Sequence, residues 1–284
     1  MAYSTNSPNA MVLIGTGNND NSSQLDTYIF SDFIQVAGPS TTSPAQGGVF
    51  YLAIANGGTI QNNSTTHFAA MGVNNVSGTA TLSTGTTSNA TGYSTLYTSL
   101  NILPGIPTPS AGYITKYECE TLVRGITNIF NASRNGEYRF GFANSSSNTA
   151  PSDGVYIRML YNGTETEQTW VIVRVKDGGI VGTHNTLVSV VADKTYRLYL
   201  CVERDTAGNI TTTYNIKNVT DDVGDIGTAS FVAGSYPTAS ADYMGVVLTA
   251  TKQGAVNANA VLLACDYIAV RIRRPLSRTI LLSP

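Results

Sequence analysis

The sequence predicts an all-β protein built from two packed antiparallel sheets, and three observations carry that prediction. Apolar and polar residues alternate over short runs. In GEYRFGFAN, Tyr138, Phe140 and Phe142 share one parity and Arg139 and Gly141 the other. Successive side chains of a strand face opposite ways, so such a run describes a half-buried strand. Runs of this kind recur along the chain, separated by clusters of Gly, Pro, Asn and Asp that favour turns. Only 12% of the residues are charged, and mean hydropathy is near zero. A surface polar through hydroxyls and amides suits strands and turns better than solvated helices. At 284 residues the chain is long enough for two small domains or one large sandwich, since single all-β sandwiches run to about 200–250 residues.

Taken in order, residues 1–24 form a polar arm with one apolar island, Met11, Val12, Leu13 and Ile14. It holds too little hydrophobic surface to fold alone, so it is expected to be held down by its own domain or, in preference, by a neighbouring chain. The sandwich is expected over 25–274, and 275–284 as a C-terminal tail. TYIFSDFIQV, GGVFYLAIANGG and THFAAMGV read as the first strands, with Gly38-Pro39 and Gly57-Gly58 as turns. Val76 to Leu103 alternates weakly, but Leu82, Tyr93, Leu96, Leu100 and Ile102 suffice for strands. Pro104, Pro107 and Pro109 then mark a connection.

YITKYECETLVRG, GEYRFGFAN, GVYIRMLYN and TWVIVRVKDGG follow, the last closing in a Lys176–Gly179 turn. TYRLYLCVERDTAGNITTTYNI reads as the clearest hairpin. Tyr196, Leu198, Leu200 and Val202 alternate before Asp205 to Asn209, and Ile210, Thr212, Tyr214 and Ile216 after it. DYMGVVLTATK and VLLACDYIAVRIRR complete the set, with a short helix the other reading of Asp242 to Lys252.

Net charge is −2, so no global field attracts nucleic acid or anionic lipid, and neither is an expected partner. The distribution of charge is uneven. Before Lys116 there is no Lys or Arg, whereas Arg271, Arg273, Arg274 and Arg278 follow Asp266 with no acid among them. This is either a mixed surface with a basic terminus or a basic tail that docks on an acidic partner. Cys119, Cys201 and Cys265 sit inside apolar strand patterns at no disulfide or zinc spacing, so buried free thiols are expected. The start MAYSTNSPN lacks a positive region followed by an apolar one, so no signal peptide is expected. No apolar run approaches the ~18 residues of a membrane span.

GEYRFGFAN, PSDGVYIRML, TWVIVRV, KTYRLYLCVER, GNITTTYNI and VLLACDYIAVRIRR together resemble the concanavalin-A-like jelly roll of tailed-phage virion proteins. In those chains a Glu-bearing strand precedes a "GF-N" strand, a "P-DG-Y" strand, a tryptophan strand and a final "DYI-V" strand. The matching positions are Glu118 or Glu120, Gly141-Phe142-Asn144, Pro151-Asp153-Gly154-Tyr156, Trp170, and Asp266-Tyr267-Ile268-Val270. The resemblance spans roughly residues 27 to 274. It implies a two-sheet jelly-roll sandwich of the lectin/glucanase type, and its motifs speak for fold more than for function.

The same fold houses sugar-binding lectins and glycoside hydrolases. Glu118 and Glu120 share a strand face, with carboxylates about 6–7 Å apart by strand rise. A retaining glycosidase needs about 5–5.5 Å, and the similar hydrolases carry a further acid where Thr121 and Leu122 stand here. An Arg-paired structural role is expected instead, and no catalytic residue. His67 and His184 have no nucleophile or metal spacing around them and are expected in loops or at the surface. Asp221-Asp222-Val223-Gly224-Asp225 lacks the spacing of a calcium loop and reads as a solvated turn. No metal or cofactor is expected. Trp170, between Thr169 and Val171, is expected between the sheets.

The resemblance implies a structural virion protein: a capsid decoration, or cement, subunit made in the host cytoplasm. It would bind the major capsid protein as a homo-oligomer, with a trimer favoured. The partner-binding residues expected are Met11, Val12, Leu13, Ile14, Arg271, Arg273, Arg274 and Arg278. The alternative is a tail-fibre or spike module that grips host carbohydrate through the Ser145–Gly154 loop, with Asn144, Ser146, Asn148 and Asp153 facing the glycan.

Overall fold

Tyr138, Phe140 and Phe142 point into the protein and are no more than 2% exposed. They are the midline of a core closed between two sheets. A computed structural model describes residues 2–4, 10–16, 24–31, 51–62, 80–98, 115–125, 135–162, 167–231, 236–237, 243–253 and 259–275. The strands are β1 (Ala2–Ser4), β2 (Ala10–Thr16), β3 (Gln24–Ser31), β4 (Tyr51–Ala55), β5 (Thr59–Asn62), β6 (Ala80–Ser83), β7 (Tyr93–Tyr97) and β8 (Thr115–Gly125). They continue with β9 (Gly136–Ala143), β10 (Gly154–Tyr161), β11 (Thr169–Lys176), β12 (Gly179–Ser189), β13 (Thr195–Arg204), β14 (Ile210–Asn218), β15 (Val223–Thr228), β16 (Gly245–Lys252) and β17 (Leu262–Pro275). There is no helix among the described residues.

One sheet has ten strands, in the order β1-β2-β3-β17-β8-β13-β14-β15, with β6 on β17 and β5 on β6. The other has seven, in the order β12-β11-β10-β9-β16-β7-β4. Every strand pair is antiparallel. Tyr117, Cys119, Leu198, Leu200 and Ile268 come from the first sheet and meet Phe140, Phe142, Ile157, Trp170 and Leu248 from the second. Trp170 packs edge-on against Tyr196 at 5.5 Å between ring centroids, in the inter-sheet position expected for it. The three cysteines are free and buried.

Turn chemistry fixes the hairpins. Asp177 and Gly178 both have left-handed φ (51° and 79°), the geometry of a tight two-residue turn between β11 and β12. The β13–β14 hairpin pairs Leu198 with Ile216 and Leu200 with Tyr214. Its turn is closed by the Asp205 carboxylate, which accepts from the Asn209 backbone N–H at 2.8 Å. Gly141 lies in mid-strand at φ 145°, where an added Cβ would sit 2.7 Å from the Tyr156 Cα. Only glycine lets β9 and β10 approach this closely.

Three expectations change. The stretch Asp242–Lys252 holds no helix where it is described; β16 pairs β9 on one side and β7 on the other, and such central pairing selects the extended form. Within the N-terminal 24 residues, β1 and β2 extend the chain's own sheet. Met11 lies opposite Phe30, Val12 opposite Ile29, Leu13 opposite Tyr28 and Ile14 opposite Thr27. An added hairpin satisfies the ladder groups of β3 that would otherwise form an open edge. Finally, the alternation in β9 does not mark a wet face, because every residue from Gly136 to Ala143 is buried. Its outer face is covered as well, by the loop that follows β9, whose Thr149 carbonyl accepts from Arg139. Arg278 and His67, and the tail beyond Pro275, lie outside the described residues.

Candidate functional site

The outer face of the ten-stranded sheet gathers side chains from six strands, β3, β17, β8, β13, β14 and β15. On β8, Tyr117, Cys119, Thr121 and Val123 turn inward, leaving Lys116, Glu118, Glu120, Leu122 and Arg124 outside. Register then assembles the rest. Arg271 lies opposite Glu118, and Arg273 opposite Lys116. The Arg271 guanidinium is 3.6 Å from Glu118 and stacks 5.1 Å over the Tyr28 ring. Lys116 Nζ is 3.3 Å from the same carboxylate. The Tyr199 hydroxyl donates to Glu118 Oε1 at 2.7 Å, and the Tyr267 hydroxyl donates to Glu120.

Tyr267 reaches that position through a bulge. Cys265 and Ile268 both face the core although two residues separate them, and the β8–β17 register shifts there. The extra residue turns Tyr267 outward, and Thr121 Oγ1 donates to its freed carbonyl at 2.7 Å. The Asp266-Tyr267-Ile268 motif is thus a bulge that aims a phenol. Burial and then the carboxylate beside each phenol push the Tyr199 and Tyr267 pKa values up, so both remain hydrogen-bond donors.

Arg271, Arg273 and Arg274 belong to β17, where they pair with β3, and do not form a free tail. Farther along the same face is a shallow depression of about 500 Å³ lined by Glu120, Tyr199, Thr213, Asn215, Ile226 and Thr228, among others.

The Ser145–Gly154 loop is tied into itself. The Asn144 carboxamide donates to Ser152 Oγ at 2.6 Å and accepts from the Ser152 and Asp153 backbone N–H groups. Asp153 is buried and its second oxygen receives the Asp177 N–H at 3.2 Å. Ser146 and Asn148 are half-buried, and the Asn148 carbonyl accepts from Gln253 at 3.4 Å. Beneath the loop, Arg139 and Glu137 form a two-pronged buried pair at 2.9 and 3.2 Å. A cavity of about 160 Å³ beside it is lined by Glu137, Tyr156, Arg158, Ile180 and Gln253, among others. Arg158 is held by Glu167 at 2.6 Å.

His184 lies on β12. Its Nδ1 accepts the Ser230 N–H, and its Nε2 is 3.1 Å from the Tyr214 hydroxyl, which donates to Asp225. Asp221 is engaged by Lys194 and Asn218, and Asp222 by Lys217. No group of acids, histidines and cysteines among the described residues is arranged to hold a metal. Sequence reasoning singled out Glu118, Glu120 and Arg271 but missed Tyr199, Asn215 and Ile226. The parity of TYRLYLCVER does place Tyr199 outside and the hairpin puts β14 beside it, but that β8 flanks it on the other side is not legible in the sequence.

These features define a lectin-like jelly-roll sandwich. A protein of unknown function from Shewanella oneidensis MR-1 is similar over 93% of this chain and 92% of its own, with a TM-score of 0.56 at 14% identity. Winged bean acidic lectin, solved with methyl-α-D-galactose, is similar over 88% of this chain and 99% of its own, with a TM-score of 0.53 at 10% identity. Lectin UEA-II, solved with galactose, covers 82% and 95% with a TM-score of 0.50 at 11% identity. No family model and no curated protein matches the sequence. At such identities the likeness establishes the fold and nothing finer.

Proposed function

We propose that this chain is a non-catalytic binding module of a virion surface, acting as a decoration subunit that joins neighbouring protein chains. The virion setting comes from the sequence resemblance, and the major capsid protein is the partner it implies. The observation that carries the adhesive role is at the rim of the sandwich. β12 and β15 end the two sheets among the described residues, they are bridged by the Leu187 N–H bond to Asp225 at 3.1 Å, and they display Leu187 (84% exposed), Val223 (57%) and Ile180 (56%). Exposed apolar side chains grouped at one rim suit association with another chain. Glycoside hydrolysis needs an acid and a second carboxylate facing one substrate. Here each described glutamate is already held by a cation or a phenol.

A second reading, recognition of host-surface carbohydrate, is favoured by the lectins among the structural neighbours and by the open depression on the ten-stranded sheet. Sedimentation of the full chain, alone and mixed with particles of the major capsid protein, tests the first. The expected result is an oligomer that pellets with particles, and Leu187→Glu should abolish both. A wild-type chain that stays monomeric and in the supernatant refutes it. A low-resolution image of the particle then separates head from tail.

A further inference from the structure

We infer that the depression on the outer face of the ten-stranded sheet is a binding site for a neutral oligosaccharide. Glu120, Tyr199, Asn215 and Ile226 are direct cross-strand partners on β8, β13, β14 and β15. Directly opposed residues share a face, so the four form one row across the strands, roughly 14 Å long at strand spacing. Thr213 and Thr228 are partners in the next row.

Each member offers what a sugar needs. The Asn215 carboxamide makes no hydrogen bond among the described residues and presents a donor and an acceptor together. The Thr228 hydroxyl is likewise unengaged among the described residues, and it is exposed. Ile226, 75% exposed, gives an apolar patch for the C–H face of a pyranose. Tyr199 is pinned by its bond to Glu118, and Glu120 by the Tyr267 phenol. The row is therefore set before a ligand arrives, and binding orders little.

The volume of about 500 Å³ is within the range of ligand sites. An open trough of this length suits a chain of sugars rather than a single ring. The lining carries one carboxylate and no lysine or arginine. Arg197 and Lys217 stand in the neighbouring row but outside the lining, so a uronate, sialate or phosphate in the trough would meet the Glu120 carboxylate at closest range, which favours a neutral ligand. The cavity beside the Ser145–Gly154 loop is smaller, and Arg158 and Glu137 are in its lining.

The test uses the full chain on immobilised neutral gluco-, galacto-, manno- and N-acetylglucosamine oligomers, with oligoalginate and sialyllactose as anionic controls. The expected result is binding to at least one neutral series. Asn215→Ala and Thr228→Val should each weaken it by roughly threefold to tenfold, the worth of one hydrogen bond. Ala150→Glu, at the loop cavity, should leave it unchanged. Neither Asn215 nor Thr228 holds the fold through its side chain, so matching melting curves are expected. The inference is overturned by binding confined to the anionic controls or by neutral binding lost in Ala150→Glu but kept in Asn215→Ala. It is also overturned by no binding at all, as when a protein partner is the true occupant of this face. That last outcome leaves the adhesive role at the β12–β15 rim untouched.

Discussion

Replacing Arg139 with methionine should cost this protein a large part of its stability. The guanidinium is 1% exposed and spans both oxygens of Glu137, itself 6% exposed as a side chain. It also donates to the Thr149 carbonyl at 3.4 Å and stacks 5.4 Å over the Tyr156 ring. Burial works against the charge, but Glu137 more than offsets it and raises the Arg139 pKa. Methionine keeps most of the packing volume and removes the cation. Glu137 is then left as a buried anion with Gln253 Nε2 at 3.0 Å as its partner. Breaking one side of a buried ion pair costs about 3–5 kcal/mol, against a typical domain stability of about 5–15 kcal/mol.

Urea unfolding followed by Trp170 fluorescence reads this directly, since the only tryptophan is 2% exposed and its emission shifts red on unfolding. The double variant Glu137→Leu with Arg139→Met removes both charges and should recover more than half of the loss. A single variant that costs under about 1 kcal/mol at unchanged m would refute the reasoning. So would a double variant that costs more than the single one.

Gly141→Ala should destabilise by at least about 2 kcal/mol, from the left-handed φ and the clash with Tyr156; a thermal melt indistinguishable from wild type would contradict this. Burial pushes the Tyr156 phenol up to about 12 from an ordinary 10.0, with Arg139 opposing. The folded state holds this proton more tightly, so the contribution is whole below pH 10 and declines towards pH 12 by roughly 1.4 kcal/mol per unit. Tyr156→Phe should flatten that part of the stability–pH curve. Burial also raises the Cys119 and Cys265 thiols, so neither should react with a thiol reagent before unfolding, and fast labelling of either would place it outside the core. Under the decoration proposal, Arg273→Ala with Arg274→Ala should weaken attachment to particles most at low salt; unchanged occupancy would exclude an electrostatic role for β17.

The sequence by itself determined the local content of this protein. Alternation in GEYRFGFAN and TYRLYLCVER, with turn residues at Asp177-Gly178 and Asp205–Asn209, specifies strands, their inward faces and two hairpins, because those signals act between neighbours in the chain. What only the tertiary structure decided is which strands lie side by side. Glu118 meets Arg271 and Tyr199 meets Glu120 across sheet registers that no local pattern encodes. Burial of the outer face has the same origin. Arg139 reads as a solvent-facing residue by parity, yet it is buried under the Ser145–Gly154 loop, whose Thr149 carbonyl it reaches, and the bulge at Asp266-Tyr267 turns an apparently regular strand into the device that aims Tyr267. Long-range pairing is settled by the burial of whole faces, a property of the assembled sheets and not of any single segment.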